Sequence, residues 1–310
     1  MTIKLSIFYN VKENKMIKER YKNMKIAWIG TGVMGKPMVS HLVDSAYEIA
    51  VYVRSEAKIK GLHPAIKVYT NLEECVKDAD FIFSIVGYPK DVLELYEKIF
   101  KVAKEGAILI DMTTSSPTLA VQLHEQAHLL GLRMLDAPVT GGEIGAIKGT
   151  LTVMVGGCES AYEKVYSILK FFGKTINYVG EAGSGQRTKS VNQIAIAGSL
   201  LGTIEALVVA MENYLDLNTV YSIVGNGSAA SWQLQTNGKK IIDGDFKPGF
   251  YIKHFLKDLK IAQESTQYNL RGLNTVIDML ERLVEYNYAD EGTQSLIMYY
   301  LDKKISKFNK

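Results

Sequence analysis

The chain has 310 residues, 47% hydrophobic and 22% charged, with a formal net charge of +3, which is ordinary globular composition with room for one large or two medium domains. Six Lys/Arg and two Asp/Glu fall in the first 24 residues, so that stretch carries +4 and the rest −1, and the body of the protein offers no basic surface for nucleic acid. No apolar run approaches the roughly 20 residues that cross a bilayer, so no membrane partner is expected.

Residues 1–23 contain only a short apolar stretch and no small-residue cleavage site. They read as a poorly ordered extension or an overextended start, not as a secretory signal. From Lys25 to about Val179, short apolar runs alternate with helical patterns. The predicted strands are "KIAWIG", "EIAVYV", "FIFSIV", "AILIDM", "RMLDAPV", "LTVMVGG" and "TINYVG", with helices at 89–101 and 116–131 among the connections. Near-continuous apolar runs suit parallel strands buried on both faces. The alternation predicts an α/β fold, a doubly wound and mostly parallel sheet over residues 24–184. From 185 to 310 no convincing strand follows. "TKSVNQIAIAGSLLGTIEALVVAMENYL" is apolar over most of its circumference and predicts a long helix buried in a bundle or at an interface. Amphipathic segments follow, broken at "GNGS", "DGDFKPGF" and "RGLN", so the second domain is expected to be all-helical. Cys75 and Cys158 have no CxxC or CxxH spacing, which points to a reducing compartment, hence the cytoplasm, and away from a zinc site.

Two glycine-rich turns stand out. In "IGTGVMG" (29–35), Gly30, Gly32 and Gly35 form GxGxxG between a strand and a helix. Gly30 permits a tight turn, Gly32 lets backbone approach a pyrophosphate, and Gly35 lets helix and strand pack closely. The helix N-terminus adds N–H groups and a positive dipole. Thr31, Val33 and Met34 lie in the same cradle. Where NAD-binding chains carry an acid at the end of the second strand, this chain has Arg54 and Ser55. A guanidinium and a hydroxyl suit a 2′-phosphate, so NADP is favoured, with NAD as the alternative. "SIVGYP" (84–89) and "DMTTSSP" (111–117) follow strands at their ligand-binding edge. They place Val86, Gly87, Thr113 and Thr114 with the cofactor. Thr113, Thr114 and Ser115 also read as caps of the helix that Pro117 opens.

"HEQAH" (124–128) matches the zinc-peptidase pattern HExxH. On its helix the buried stripe would be Leu119, Leu123, Ala127 and Leu130. His124 and His128 would then fall beside that stripe, facing water, and no metal is expected. The second turn, "DAPVTGG", sits in "LDAPVTGGEIGAIKGTLTVMVGG" (135–157), which holds six glycines. Its backbone N–H groups and the Thr140 hydroxyl suit a carboxylate. In "GSGQRTKSVNQ", Lys189, Asn192 and Gln193 share one helix face. A buried lysine whose pKa falls toward neutrality can work as a general acid/base.

Four stretches in order, "GTGVMGKPM", "DAPVTGGEIGAIKGTLTVMVGG", "GSGQRTKSVNQ" and "KDLKIA", make the chain resemble the β-hydroxyacid dehydrogenase family. That family includes 3-hydroxyisobutyrate dehydrogenase, tartronate semialdehyde reductase and glyoxylate/succinic semialdehyde reductases, and 6-phosphogluconate dehydrogenase is a distant relative. The resemblance covers about residues 24–305. It implies hydride transfer between a nicotinamide and a small β-hydroxy acid or its semialdehyde. The family's catalytic lysine falls on Lys189 and its serine-glycine-glycine substrate turn on Thr140, Gly141 and Gly142. Its helix asparagine falls on Asn192, with Gln193 where a second asparagine is frequent, and its C-terminal lysine near substrate and cofactor falls on Lys257. Family members are dimers or tetramers, so a homo-oligomer is expected. Two rival readings are an imine reductase of the same architecture, against which Lys189 argues, and a non-catalytic NADP-binding scaffold.

Overall fold

The computed structural model describes residues 24–55, 57 and 59–306; the extension expected at 1–23 lies outside them. The chain divides into two compact units, one ending at Gln186 and the other beginning at Arg187.

The first unit is built on a nine-stranded sheet. Its strands are β1 (Lys25–Ile29), β2 (Glu48–Tyr52), β3 (Lys67–Tyr69), β4 (Phe81–Ser84), β5 (Ile108–Asp111), β6 (Arg133–Asp136), β7 (Val139–Thr140), β8 (Leu151–Gly157) and β9 (Gly173–Gly180). The order β3-β2-β1-β4-β5-β6 is parallel throughout. It reverses direction between β1 and β4, the switch point where such sheets bind ligands at their C-terminal edge. β8 runs antiparallel to β6 and β7 and parallel to β9.

The connecting helices are α1 (Gly35–Ser40), α2 (Leu72–Val76), α3 (Pro89–Ile99), α4 (Pro117–Leu129), α5 (Gly142–Lys148) and α6 (Glu159–Leu169). The apolar strands feed two cores. Ile26 and Trp28 face one core, with Met38 and Val39 of α1 and Val165 and Ile168 of α6. Ala27 and Ile29 face the other, with Cys75, Tyr96 and Leu123 from α2, α3 and α4. Burial on both faces is why these strands read as continuous apolar runs. Trp28, Phe83 and Phe172 form a ring cluster with centroids 5.4 to 6.3 Å apart.

Several details correct the sequence reading. The run "RMLDAPV" is two strands, because Pro138 has no N–H to continue a ladder. β3 carries no apolar signature, being three residues at the sheet edge. On α4 the buried residues are Ala120, Leu123 and Ala127, whereas Leu130 is 51% exposed. The helix has already ended there, and Gly131 at φ +71° turns the chain toward β6. Ser116 caps α4, its Oγ accepting from Leu119 N–H.

A 29-residue helix, α7 (Ser184–Glu212), begins at the end of the first unit. The second unit then adds α8 (Leu217–Gly225), a π-helical turn (Leu234–Gly238) running into α9 (Lys239–Ile242), α10 (Ile252–Glu264) and α11 (Arg271–Glu285). It ends in a 3-10 turn (Thr293–Ile297), α12 (Met298–Leu301) and α13 (Lys303–Ser306). Its core joins Leu200, Ile204 and Leu207 of α7 to Phe255 and Leu259 of α10 and Val276, Leu280 and Leu283 of α11. The break expected at "RGLN" lies earlier, since Gly272 sits inside the first turn of α11. α7 also corrects the expectation that no apolar run approaches bilayer-spanning length. An 18-residue window of it has mean hydropathy 2.0, long and apolar enough to cross a membrane by length and composition, yet 33% of that window is buried within the chain. The small residues Gly198, Ser199, Gly202 and Thr203 interrupt the apolar run in sequence without making it polar.

Phe172→Ala should lower stability by about 3–5 kcal/mol, since it empties one corner of the ring cluster. Urea unfolding followed by tryptophan fluorescence would read the loss.

Candidate active site

The first glycine turn closes β1 and opens α1. Gly30 sits at φ +103°, where a Cβ would lie 2.0 Å from Ile85 O. Gly35 is closed in the same way, its Cβ falling 2.0 Å from Gly30 O. Gly32 differs, because a Cβ there meets no protein atom within 4 Å. Gly32 and Val33 are exposed, and Thr31 and Met34 are half-buried. No side chain caps α1, and an uncapped helix start favours an anion. An open glycine between two closed ones fits the pyrophosphate of a dinucleotide. Trp28 contributes from below: its Nε1 donates to Gly30 O at 2.9 Å, so the buried ring cluster also holds the turn.

Arg54 and Ser55 follow β2 and are exposed. The loops after β4 and β5 are tied to one another. Val86 N–H donates to Thr113 Oγ1 at 3.0 Å, and Thr113 N–H donates to Asp111 Oδ1 at 3.1 Å. Ser84 Oγ donates to the same carboxylate oxygen at 2.9 Å and lies 2.8 Å from the Tyr96 hydroxyl. Burial pushes the Asp111 carboxyl up to about 6 against the bonds from Thr113 and Ser84, and Asp136 adds to the rise. The Thr113 hydroxyl therefore has a structural partner at Val86. Thr114 and Gly87 are half-buried beside these contacts. Thr113 to its carbonyl side and Ser115 through its N–H both meet the Gln186 side chain, at 2.7 and 3.0 Å. Capping of α4 falls to Ser116, not to Thr113, Thr114 or Ser115. The Ser115 hydroxyl is buried and has no hydrogen-bond partner among the described residues.

The second glycine turn joins β7 to α5. Gly141 and Gly142 have φ of +126° and +63°, conformations that L side chains rarely adopt. A Cβ on Gly142 meets nothing within 4 Å, and Thr140 beside it is half-buried. The other four glycines of the stretch have packing reasons. Gly145 backs onto Leu151, and Gly149 ends α5 in a left-handed cap. Gly156 and Gly157 lie against Asp136 and Met134, where a Cβ would come within 2.7 Å.

Asp136, at the end of β6, is 4% exposed. Its Oδ1 accepts from Gly183 N–H and its Oδ2 from Gln186 N–H, both at 2.8 Å. The carboxylate thus meets the start of α7, where both the free N–H groups and the helix dipole favour negative charge.

In the second unit, Lys189 is 6% exposed. Burial lowers its pKa from 10.5 to about 8; the Asp258 carboxylate opposes that fall and the Lys257 ammonium adds to it. Asp258 is the centre of the cluster. It pairs with Lys257 Nζ at 3.1 Å and accepts from Gln193 Nε2 at 2.8 Å. Gln193 Oε1 in turn accepts from Asn192 Nδ2 at 2.7 Å. Lys257 and Asp258 lie on α10, the others on α7. Gln193 therefore links Asn192 to the carboxylate, a contact its extra methylene reaches.

His124 and His128 have other surroundings. His124 Nδ1 lies 3.0 Å from Met134 O, and His128 is exposed. Sequence reasoning passed over Trp28, Asp111, Asp136, Gln186 and Asp258. The available signal was a buried-type acid at the end of an apolar strand, as in "LID" and "MLD", where burial of a charge demands partners.

Two family models match. The NAD-binding domain of 6-phosphogluconate dehydrogenase matches residues 25–180. The NAD-binding domain of NADP-dependent 3-hydroxyisobutyrate dehydrogenase matches residues 183–300. An uncharacterized oxidoreductase of Bacillus subtilis is 41% identical over 87% of this chain and 96% of its own. A probable mitochondrial 3-hydroxyisobutyrate dehydrogenase-like protein of Arabidopsis thaliana is 36% identical over 89% of this chain and 85% of its own. The solved 3-hydroxyisobutyrate dehydrogenase of Mycobacterium tuberculosis, with L-serine, superposes with a TM-score of 0.81 at 27% identity, covering 88% of this chain and 98% of that one. Both halves of the molecule thus match in the order that the two glycine turns and the lysine helix require, and the chain belongs to the β-hydroxyacid dehydrogenase family, as an NAD(P)-dependent hydroxyacid dehydrogenase.

Proposed function

We propose that the protein reversibly interconverts a small β-hydroxy acid and its semialdehyde with NADP(H), using Lys189 as general acid/base. The observation that carries this reading is a lysine buried on an apolar helix with its pKa lowered to about 8. Such a group changes charge near working pH, as proton transfer requires. When bound, the nicotinamide supplies or accepts the hydride. The open turn at Gly32 receives the pyrophosphate, and Arg54 with Ser55 receives the 2′-phosphate. Thr140 and the N–H groups of Gly141 and Gly142 take the substrate carboxylate. Lys189 gives a proton to the carbonyl oxygen in reduction and removes one from the hydroxyl in oxidation. Asn192 orients the substrate, held in place through Gln193 and Asp258, while Lys257 contributes positive charge. The Thr140 methyl narrows the carboxylate turn relative to a serine and favours small acids. The exposed apolar face of α7, with Val191 67% and Val209 55% exposed, supports a second copy of the chain as partner.

Lys189→Ala should cut turnover by about 10²–10⁴-fold, measured as NADPH oxidation with glyoxylate, succinic semialdehyde or methylmalonate semialdehyde. Near-wild-type rates in that variant would sink the assignment. Reduction needs the ammonium form, so its kcat/KM should fall as pH rises through about 8. Oxidation needs the neutral amine, so its kcat/KM should rise over the same range. A mutation of Arg54 to Asp should lower the NADPH/NADH preference at least tenfold, read as the ratio of the two kcat/KM values. Light scattering should return a multiple of the 34.5 kDa chain mass, and a Val209→Asp variant should shift it toward the monomer.

A further inference from the structure

Loops that receive a cofactor must hold their backbone in one conformation, although they lie outside the sheet ladder. Residues 113–115 follow β5 with neither strand nor helix to satisfy their backbone groups. Gln186 satisfies two of them at once. Its Oε1 accepts from Ser115 N–H at 3.0 Å and its Nε2 donates to Thr113 O at 2.7 Å. All three residues are at most 2% exposed. An amide has one donor end and one acceptor end, so it grips a backbone segment as a neighbouring strand would.

The grip is itself fixed. The Gln186 N–H donates to Asp136 Oδ2 at 2.8 Å, and Gly183 N–H donates to the other carboxylate oxygen at the same distance. Between them Gly185 leaves no slack. A Cβ there would fall 2.3 Å from Asp136 O and 2.6 Å from Met154 O, so the first turn of α7 lies directly against β6 and β8. From the loop the network continues through Thr113 to Val86 and to Asp111, the residues that join the loops after β4 and β5. The polar chain therefore runs from the end of β6 to the end of β4 without leaving the first unit. Lys189 follows on the same helix.

We propose that Gln186 is a positioning residue: it clamps the cofactor loop at 113–115, with Asp136 holding Gln186 in register. This rests on the cofactor reading given above, and it assigns Gln186 no contact with substrate. Removing the amide strands a buried N–H and a buried C=O. The loop then relaxes to conformations that bind cofactor less well.

The test measures the Kd for NADP+ by calorimetry at pH 8 and pH 5.5, with the thermal midpoint recorded alongside. Gln186→Leu, of similar length, should weaken binding at least tenfold at both pH values while remaining folded. Gln186→Glu gives a readout that space-filling does not. Its ionised carboxylate accepts from Ser115 N–H but repels Thr113 O, and the nearby Asp111 and Asp136 hold its pKa up. NADP+ binding by Gln186→Glu should thus be weak at pH 8 and recover toward wild type at pH 5.5 as the carboxyl gains a proton to donate. Each Kd is compared with wild type at the same pH, which accounts for titration of the 2′-phosphate and of Asp111. Unchanged affinity in a folded Gln186→Leu, or a Gln186→Glu to wild-type ratio that does not move with pH, would overturn the proposal alone. Wild-type protein that binds neither NADP+ nor NAD+ would instead overturn the cofactor reading and remove the basis for the clamp.

Discussion

Much of the first unit hangs on the carboxylate of Asp136. It is buried, and it ends an apolar strand where an unpaired charge would be costly. Two backbone N–H groups at the start of α7 meet it, one on each oxygen. A helix start carries unsatisfied donors and positive potential, so each partner supplies what the other lacks. The approach needed for these bonds dictates the surrounding composition. Gly156 on β8 and Gly185 on α7 both lie where a Cβ would collide with Asp136. A single charge–dipole contact thereby accounts for one acid and two glycines on three different elements.

The same rule applies to the other buried charges. Asp111 receives bonds from Thr113 and Ser84, and burial still moves its carboxyl to about 6. Asp258 is matched by Lys257 and by the Gln193 amide. For Lys189, burial outweighs the opposing Asp258 carboxylate and Lys257 reinforces the fall, to about 8. The direction in which each buried group shifts is set by the balance of its surroundings, not by residue type.

The second glycine stretch shows how one composition serves unrelated demands. Gly141 and Gly142 are required by positive φ at the turn that opens α5, and Gly142 leaves space around it. Gly145 allows contact with Leu151, Gly149 ends the helix, and Gly156 and Gly157 admit neighbouring backbone and side chains. Of the six, Gly142 alone has nothing within 4 Å of an added Cβ. The sequence reading assigned Gly141 and Gly142 to a carboxylate turn and gave the other four glycines no role. The two kinds separate once it is known what each absent Cβ would have met. The GxGxxG turn was easier to read because its spacing encodes the roles directly: Gly30 and Gly35 are closed by neighbouring backbone, and Gly32 is open.

The sequence by itself determined the parallel strands, the glycine turns, the all-helical second half and the face shared by Lys189, Asn192 and Gln193. These features repeat within a few residues, as strand burial, turn chemistry and helix pitch do. It did not determine β3, which is too short and too exposed for a pattern, or the end of α4, where the turn at Gly131 releases Leu130 to solvent. Nor could it pair Asp136 with Gly183 and Gln186, 47 and 50 residues on, or Gln186 with Thr113 and Ser115, 73 and 71 residues back. Those contacts exist only because the sheet order sets the ends of β4, β5 and β6 side by side and the start of α7 lands against them. Local periodicity carries no record of which distant backbone group a buried carboxylate or amide will meet; the tertiary fold alone decides it.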